Sequence, residues 1–452
     1  MKRKIILSLT VLAVAVIANA EELTLQQAVS IALENNTSIQ VFREKVNAAQ
    51  GQLEAVRGNL VPQLSASGSM VRLNSLIDMK VGETYFLSVL DSTHRPTGDV
   101  VPIASTSIVS DKIGITYSGK LSASWPVYTG GKVWQGYQIS RLNLKAAGES
   151  FDSTRATVIF SAKQVYYDLL LAQSALTVTR EAVSSIEKHV ARVRALYQNG
   201  MVSRYDLLRA EVQLSNMQPQ LIRMQNAVEL SRQALNMVLN RDLDTPVKLA
   251  DSMSYSSVEV DSSLLLKKAL ESRPEYRSIL LRQKMTDKAR LISYANYQPT
   301  VALIADYSYS KGSGFSSSDE WTKSWDVGVA ASWPLFDGGT GLGRIKEARA
   351  TSRQLVLIRE QVEDWIKLEV TASYLTLKAT EKAINSQEKA EEQAQEALKI
   401  ANARYESGQA TNLDVLDAQL ALTQARTNKI QAVHDYLVAL AALEKAVGGS
   451  IK

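Results

Sequence analysis

Between Arg344 and Ser407 the chain runs for 64 residues without a glycine or a proline. Wound as an α-helix at 1.5 Å per residue, that run is ~96 Å long, far more than an ordinary globular domain can hold. A second run of the same kind extends from Glu149 to Asn199. Helices of this length must lie along one another. Ile186, Val190, Val193 and Tyr197 are spaced 4, 3, 4, and Ala394, Leu398, Ala401 and Tyr405 repeat the spacing. That is a heptad seam, so coiled-coil pairing is expected there. Composition agrees: the 452 residues include only 9 Pro and 6 Phe and no Cys, as in proteins dominated by long helices.

The two runs belong to two copies of one unit. Ala123-Ser124-Trp125-Pro126…Gly130-Gly131 matches Ala331-Ser332-Trp333-Pro334…Gly338-Gly339 at an offset of 208 residues. Tyr197/Tyr405, Gly200/Gly408, Asp206/Asp414 and Leu208/Leu416 share that offset, whereas Ala32-Leu33-Glu34 matches Ala269-Leu270-Glu271, and Pro62 matches Pro299, at 237. The difference, 237 − 208 = 29, locates an insertion in the first copy between Pro62 and Ala123. The copies span about 21–240 and 262–448, with a non-helical joint over 241–261. Shorter first helices are expected at about 24–58 and 262–297, and returning helices at about 203–240 and 411–447, the former kinked at Pro219.

Within each copy the apolar period switches to two, the signature of a strand. Four strands are expected, at about 62–72, 112–128, 299–310 and 325–336. In the last, Trp325, Val327, Val329 and Ala331 alternate with Asp326, Gly328, Ala330 and Ser332. Apolar residues on one face and small polar ones on the other suit a half-buried soluble sheet. They also suit a membrane β-barrel, which needs strands of about ten residues with aromatics near their ends; Trp125, Trp325, Trp333, Tyr307 and Tyr309 are so placed.

Residues 1–20 carry Lys2, Arg3 and Lys4, an apolar run and Ala18-Asn19-Ala20, the pattern of a cleaved secretory signal, so the exported chain is expected to span 21–452. Without the signal the balance is 48 Lys+Arg against 46 Asp+Glu, which gives no footprint for nucleic acid. No later apolar run reaches 18 residues, so a chain that touches a bilayer would not cross it as a helix. Four strands cannot close a barrel, and open edges are excluded from lipid. Three chains would supply twelve.

The start Leu23-Thr24-Leu25-x-x-Ala28-x-x-x-Ala32-Leu33, the two Trp-Pro…Gly-Gly strand exits and the two Tyr-x-x-Gly-x5-Asp tips together resemble the TolC-like outer membrane efflux protein family, over Leu23 to Val447. The resemblance implies a mainly α protein with a small antiparallel β part. In that family a homotrimer shares one transmembrane β-barrel, four strands per protomer, above a periplasmic α-barrel of long helices. It implies an outer membrane exit duct for an efflux system, with a periplasmic adaptor and an inner-membrane transporter as partners. A type I protein-secretion outlet and, from another class, a periplasmic coiled-coil scaffold remain as alternatives, and the cargo is open.

The resemblance places Gly200 and Gly408 at periplasmic helix turns. Ser203 and Thr411 have the N-cap position, with Asp206 and Asp414 three residues on at capping-box spacing. Asp417 shares a face with Asp414 and is not needed for capping; its copy-one partner is Arg209. By resemblance, Asp414 and Asp417 line a constricted entrance, while Asp206 and Tyr405 belong to its closure. Some family members place a basic residue two positions after the second-tip glycine; here it is Ala410, leaving Arg204, Arg209 or Arg404 as substitutes. The external loops, about 73–111 and 311–324, have no assigned role. His94, His189 and His434 lack ligand spacing, and no phosphate loop, nucleophile elbow or HExxH occurs. No metal, cofactor or catalytic residue is expected.

Overall fold

A computed structural model describes residues 22–73, 77–80, 85–103, 108–111, 114–259, 261–312 and 320–451. The secretory-signal reading, residues 112–113 of the second expected strand and parts of both external loops lie outside these. In chain order the elements are β1 (Glu22–Leu23), α1 (Leu25–Asn35), α2 (Thr37–Gly58), β2 (Gln63–Leu73), β3 (Ile77–Lys80), β4 (Tyr85–Leu90), β5 (Pro96–Ile103), β6 (Ile108–Asp111) and β7 (Gly114–Tyr128). There follow α3 (Lys132–Gln198), α4 (Arg204–Val238), β8 (Lys248–Leu249), α5 (Ser262–Ser272), α6 (Pro274–Tyr294), β9 (Thr300–Lys311), β10 (Thr322–Ser332), α7 (Thr340–Glu406) and α8 (Asn412–Val447).

Two compact units divide these elements. Of the described residues, the first holds those up to Ala48, of Leu144–Arg282 and from Leu355 on; the second holds those of Ala49–Asn143 and Gln283–Gln354.

Helices α3 and α7 have 67 residues each, about 100 Å of helix, and most of each lies in the first unit. They start earlier than the glycine-free runs suggest, because Gly136, Gly148, Gly341 and Gly343 are all helical. Two core clusters occupy equivalent positions. Ala28, Ala32, Val158, Ala162, Leu169, Leu235 and Leu239 are buried together; so are Leu265, Ala269, Ile366, Val370, Leu377, Leu443 and Val447. Each first-set residue maps onto its second-set partner by the 237 or 208 offset.

The first helices are not continuous. Each breaks at equivalent positions, Asn36 and Arg273. Asn36 donates from Nδ2 to the carbonyl of Val238 at 2.9 Å, and Arg273 from Nη1 to that of Ala446 at 3.4 Å. Different side chains thus satisfy the same orphan carbonyls at the ends of α4 and α8. Arg273, 2% exposed, also pairs with Glu369 and Glu275 and stacks over Trp365 at 5.2 Å. Pro274 starts α6, where a missing N–H costs nothing. Helix α4 continues through Pro219. The seam is also narrower than the heptads suggest: Ile186, Val190, Val193 and Tyr405 are buried, but Tyr197 is exposed.

In the second unit one antiparallel sheet has the order β10-β9-β7-β2. Its strands segregate their faces: Trp325 pairs with Tyr307 and Val329 with Leu303, while Ser324 pairs with Ser308 and Asp326 with Asp306. The last strand ends at Ser332, short of the expected 336, and Trp333 instead donates from Nε1 to the carbonyl of Tyr297 at 3.0 Å. Its counterpart Trp125 donates to Leu60 at 3.1 Å from within β7, which runs on through a register shift near Pro126. Gly130 and Gly131 take φ of 61° and 83° at the turn from β7 into α3. The first external loop is not simply a loop. Beyond β2–β7 the same hairpin continues as two nested ladders, β3–β6 and β4–β5.

Candidate functional site

The helix tips of the first unit gather most of the candidate residues. Each long helix stops at a glycine in the left-handed region, φ 72° at Gly200 and 74° at Gly408. The Gly408 N–H bonds to the carbonyl of Tyr405 at 3.0 Å and the Gln409 N–H to that of Arg404 at 2.7 Å; Gly200 and Met201 make the corresponding bonds to Tyr197 and Leu196. These are the terminal bonds of a Schellman stop.

The returning helices start with capping boxes. Ser203 Oγ accepts from the Asp206 N–H at 3.2 Å, and Asp206 Oδ2 accepts from Ser203 Oγ at 2.6 Å and its N–H at 3.3 Å. Thr411 and Asp414 repeat this, with Asp414 Oδ2 at 2.7 Å from the Thr411 N–H and 2.8 Å from its hydroxyl. The Thr411 backbone and hydroxyl bonds, with Arg404 nearby, hold the Asp414 carboxyl below its ordinary range. Asp417 is exposed one turn further into α8 and makes no hydrogen bond or ion pair among the described residues. The same holds for the side chains of Arg204 and Arg209. Arg404 is engaged, donating to the carbonyl of Gln409 at 3.3 Å.

Under this surface lies a small core of Ile186, Val190, Val193, Ala210, Tyr405 and Val415, with Val202 and Ala410 packed against it. Ala410 is therefore an apolar plug at the position where a basic side chain was considered. Tyr405 is buried with its hydroxyl making no hydrogen bond among the described residues; burial and the nearby Asp206 raise its pKa.

Two polar residues join this core for which the sequence offered no role. His189 Nε2 lies 2.6 Å from Asn412 Oδ1, and Asn412 Nδ2 donates to the carbonyl of Asp206 at 3.0 Å. The His189 ring is 5.4 Å from that of Tyr405. One buried chain of contacts therefore joins α3, the end of α7 and the starts of α8 and α4. Burial pushes the His189 pKa down against the opposing Asn412 bond. Neither residue recurs at the matching tip (Ala397 and Arg204 stand at the 208 offset), so the repeat gave no signal for them. His434 lies elsewhere on α8, between Asp168 at 2.8 Å and Asp435 at 3.0 Å. Among the described residues no group of three or more His, Cys, Asp or Glu could hold a metal, and no helix is long and apolar enough to cross a membrane.

A four-stranded sheet with both edges unpaired among the described residues, together with helices of about 100 Å, defines a class: one protomer's share of a barrel channel. The family model for outer membrane efflux protein matches residues 28–241 and 265–449. The outer membrane protein TolC of Vibrio cholerae is 22% identical over 326 residues, 70% of this chain and 73% of that protein. Outer membrane protein OprJ of Pseudomonas aeruginosa is 23% identical over 432 residues, 94% of this chain and 84% of that one. The crystal structure of the CmeC outer membrane channel of Campylobacter jejuni superposes with a TM-score of 0.79 at 20% identity, covering 94% of this chain and 85% of that one. The chain belongs to the outer membrane efflux protein family. It is an outer membrane channel protein with long helices and a small antiparallel sheet.

Proposed function

We propose that this efflux channel is a passive exit duct, gated at its periplasmic helix tips, that works with a periplasmic adaptor and an inner-membrane transporter. The membrane segments are β2, β7, β9 and β10, and the rest of the two repeats, apart from the external hairpin and loop, is periplasmic. The observation that carries the gate is the contrast at the second tip. Asp414 is occupied as a helix cap, whereas Asp417 beside it is exposed and has no partner within the protomer among the described residues. Three chains bring six such carboxylates around one axis, where they concentrate cations at the entrance. Arg204 and Arg209, also unpaired among the described residues of the protomer, are cations available to a neighbouring hairpin. The buried Tyr405 hydroxyl and Asp206 complete the closure.

Single-channel recording of Asp414→Ala/Asp417→Ala trimers tests this reading. The expected result is a several-fold rise in conductance with reduced cation selectivity. Unchanged conductance and selectivity would sink the gate.

A further inference from the structure

The external hairpin breaks the rule that the barrel strands obey. In β9–β10 apolar and polar residues keep to opposite faces. In β4–β5 both faces are apolar. Residues paired directly across an antiparallel ladder share a face, and the pairs are Phe86 with Pro102, Leu87 with Val101 and Ser88 with Val100. One face therefore exposes Phe86 and Val100, 60% and 56% accessible, and the other exposes Leu87 and Val101, 59% and 54% accessible. The polar residues within the strands are Tyr85, Ser88, Thr97 and Asp99; the turn adds Asp91, whose Oδ1 accepts from the N–H groups of Thr93 at 2.8 Å and Arg95 at 2.9 Å. A two-stranded ribbon is marginal in water by itself, and a ribbon apolar on both sides needs two partners.

The position of the ribbon identifies them. It continues from β2 and β7, and β2 is an edge strand of the sheet. Closing a trimeric barrel pairs that edge with β10 of the next protomer, so the ribbon rises from the protomer boundary. The neighbour's β9–β10 ladder ends at Lys311 and Thr322, whereas this hairpin continues through two further ladders. Among the described residues, the elements that reach as far are the same ribbons of the other two copies. A three-fold ring has heterologous interfaces, in which each copy offers one surface to the copy before it and a different surface to the copy after it. Two unlike apolar faces on one blade meet that requirement. Lipid contact alone would call for one.

We infer that the three β4–β5 ribbons pack front to back at the external end of the channel, the Phe86/Val100 face of one copy against the Leu87/Val101 face of the next. The inference rests on the trimeric barrel and is independent of the periplasmic gate.

The absence of cysteine makes the test direct. Phe86→Cys and Leu87→Cys chains, carrying different affinity tags, are co-expressed, and trimers are checked by size before oxidation or treatment with a short bismaleimide. The expected product is a covalent dimer bearing both tags, at least ten-fold more abundant than either single-tag dimer. Val100→Cys with Val101→Cys repeats the geometry on the other strand should the first pair fail to assemble. Intact trimers that do not cross-link, with both cysteines labelled by a water-soluble maleimide, would overturn the inference. So would cysteines reached only by a lipid-phase reagent, and so would single-tag dimers matching the mixed ones, since like faces would then meet.

Discussion

Asp414 and Asp417 stand three residues apart on α8, yet only the first is held by the chain around it. Thr411 donates twice to Asp414, while Asp417 is bound by nothing among the described residues. Thr411→Ala should therefore loosen the start of α8 by ~1 kcal/mol, as loss of an N-cap does, seen as faster hydrogen exchange over 412–416. Asp417→Ala should leave that exchange unchanged and alter only ion selectivity. His189 adds a pH dependence. Its folded pKa is lowered by burial, so the unfolded tip binds the proton more tightly and stability rises with pH in that window. The tip should be firm at neutral pH and weaken as pH falls below about 6.5, the ordinary histidine value. Hydrogen exchange at 186–199, corrected for intrinsic rates, should show protection lost between pH 7 and 5.5 and the loss largely absent in His189→Gln. The opposite sign holds for His434, whose raised pKa reflects bonds to Asp168 and Asp435 that outweigh its burial; its contribution is present below its unfolded pKa and fades as pH rises through the folded value.

At the scale of elements, glycines with like conformations do different work. Gly130 and Gly131 both have positive φ, but a Cβ on Gly130 would lie 2.9 Å from Gln298 Cβ, whereas nothing lies within 4 Å of one on Gly131. Gly131→Ala should cost about 1 kcal/mol for the backbone alone. Gly130→Ala should cost more by ~1–3 kcal/mol of overpacking, read as a lower unfolding midpoint in detergent. Much of this level was legible in the sequence. The two offsets located the strand exits and the tips, and the two cores found in the structure obey the same offsets. What was not legible follows from the same logic. The breaks at Asn36 and Arg273 use unlike side chains for one carbonyl task, so no shared residue marks them. The His189–Asn412 contact is 223 residues apart and exists in one tip only. Trp333 leaves its strand while Trp125 does not, although both make the same indole bond.

At the scale of the whole molecule, the open edges of β2 and β10 decide the assembly. A four-stranded sheet with two free edges is stable in lipid only as part of a closed ring. Replacing Thr300–Ser332 by a short Gly-Ser linker would leave β7 as an edge and remove two strands from each protomer. The expected outcome is loss of the trimer on native gels, with helical circular dichroism retained because the helix cores lie in the other unit; a stable trimer of such chains would contradict the edge argument.

By itself the sequence determined that the helices are very long, the strand faces, the duplication and the need for partners, since periodicity and strand number are local or countable quantities. The tertiary structure decided which charges at the tips are spent inside the protomer and which are left over. It also showed that Ala410 fills a core, and that the first external loop is a ribbon with two apolar faces. Those outcomes depend on which atoms meet across hundreds of residues, and no spacing along the chain encodes such a meeting.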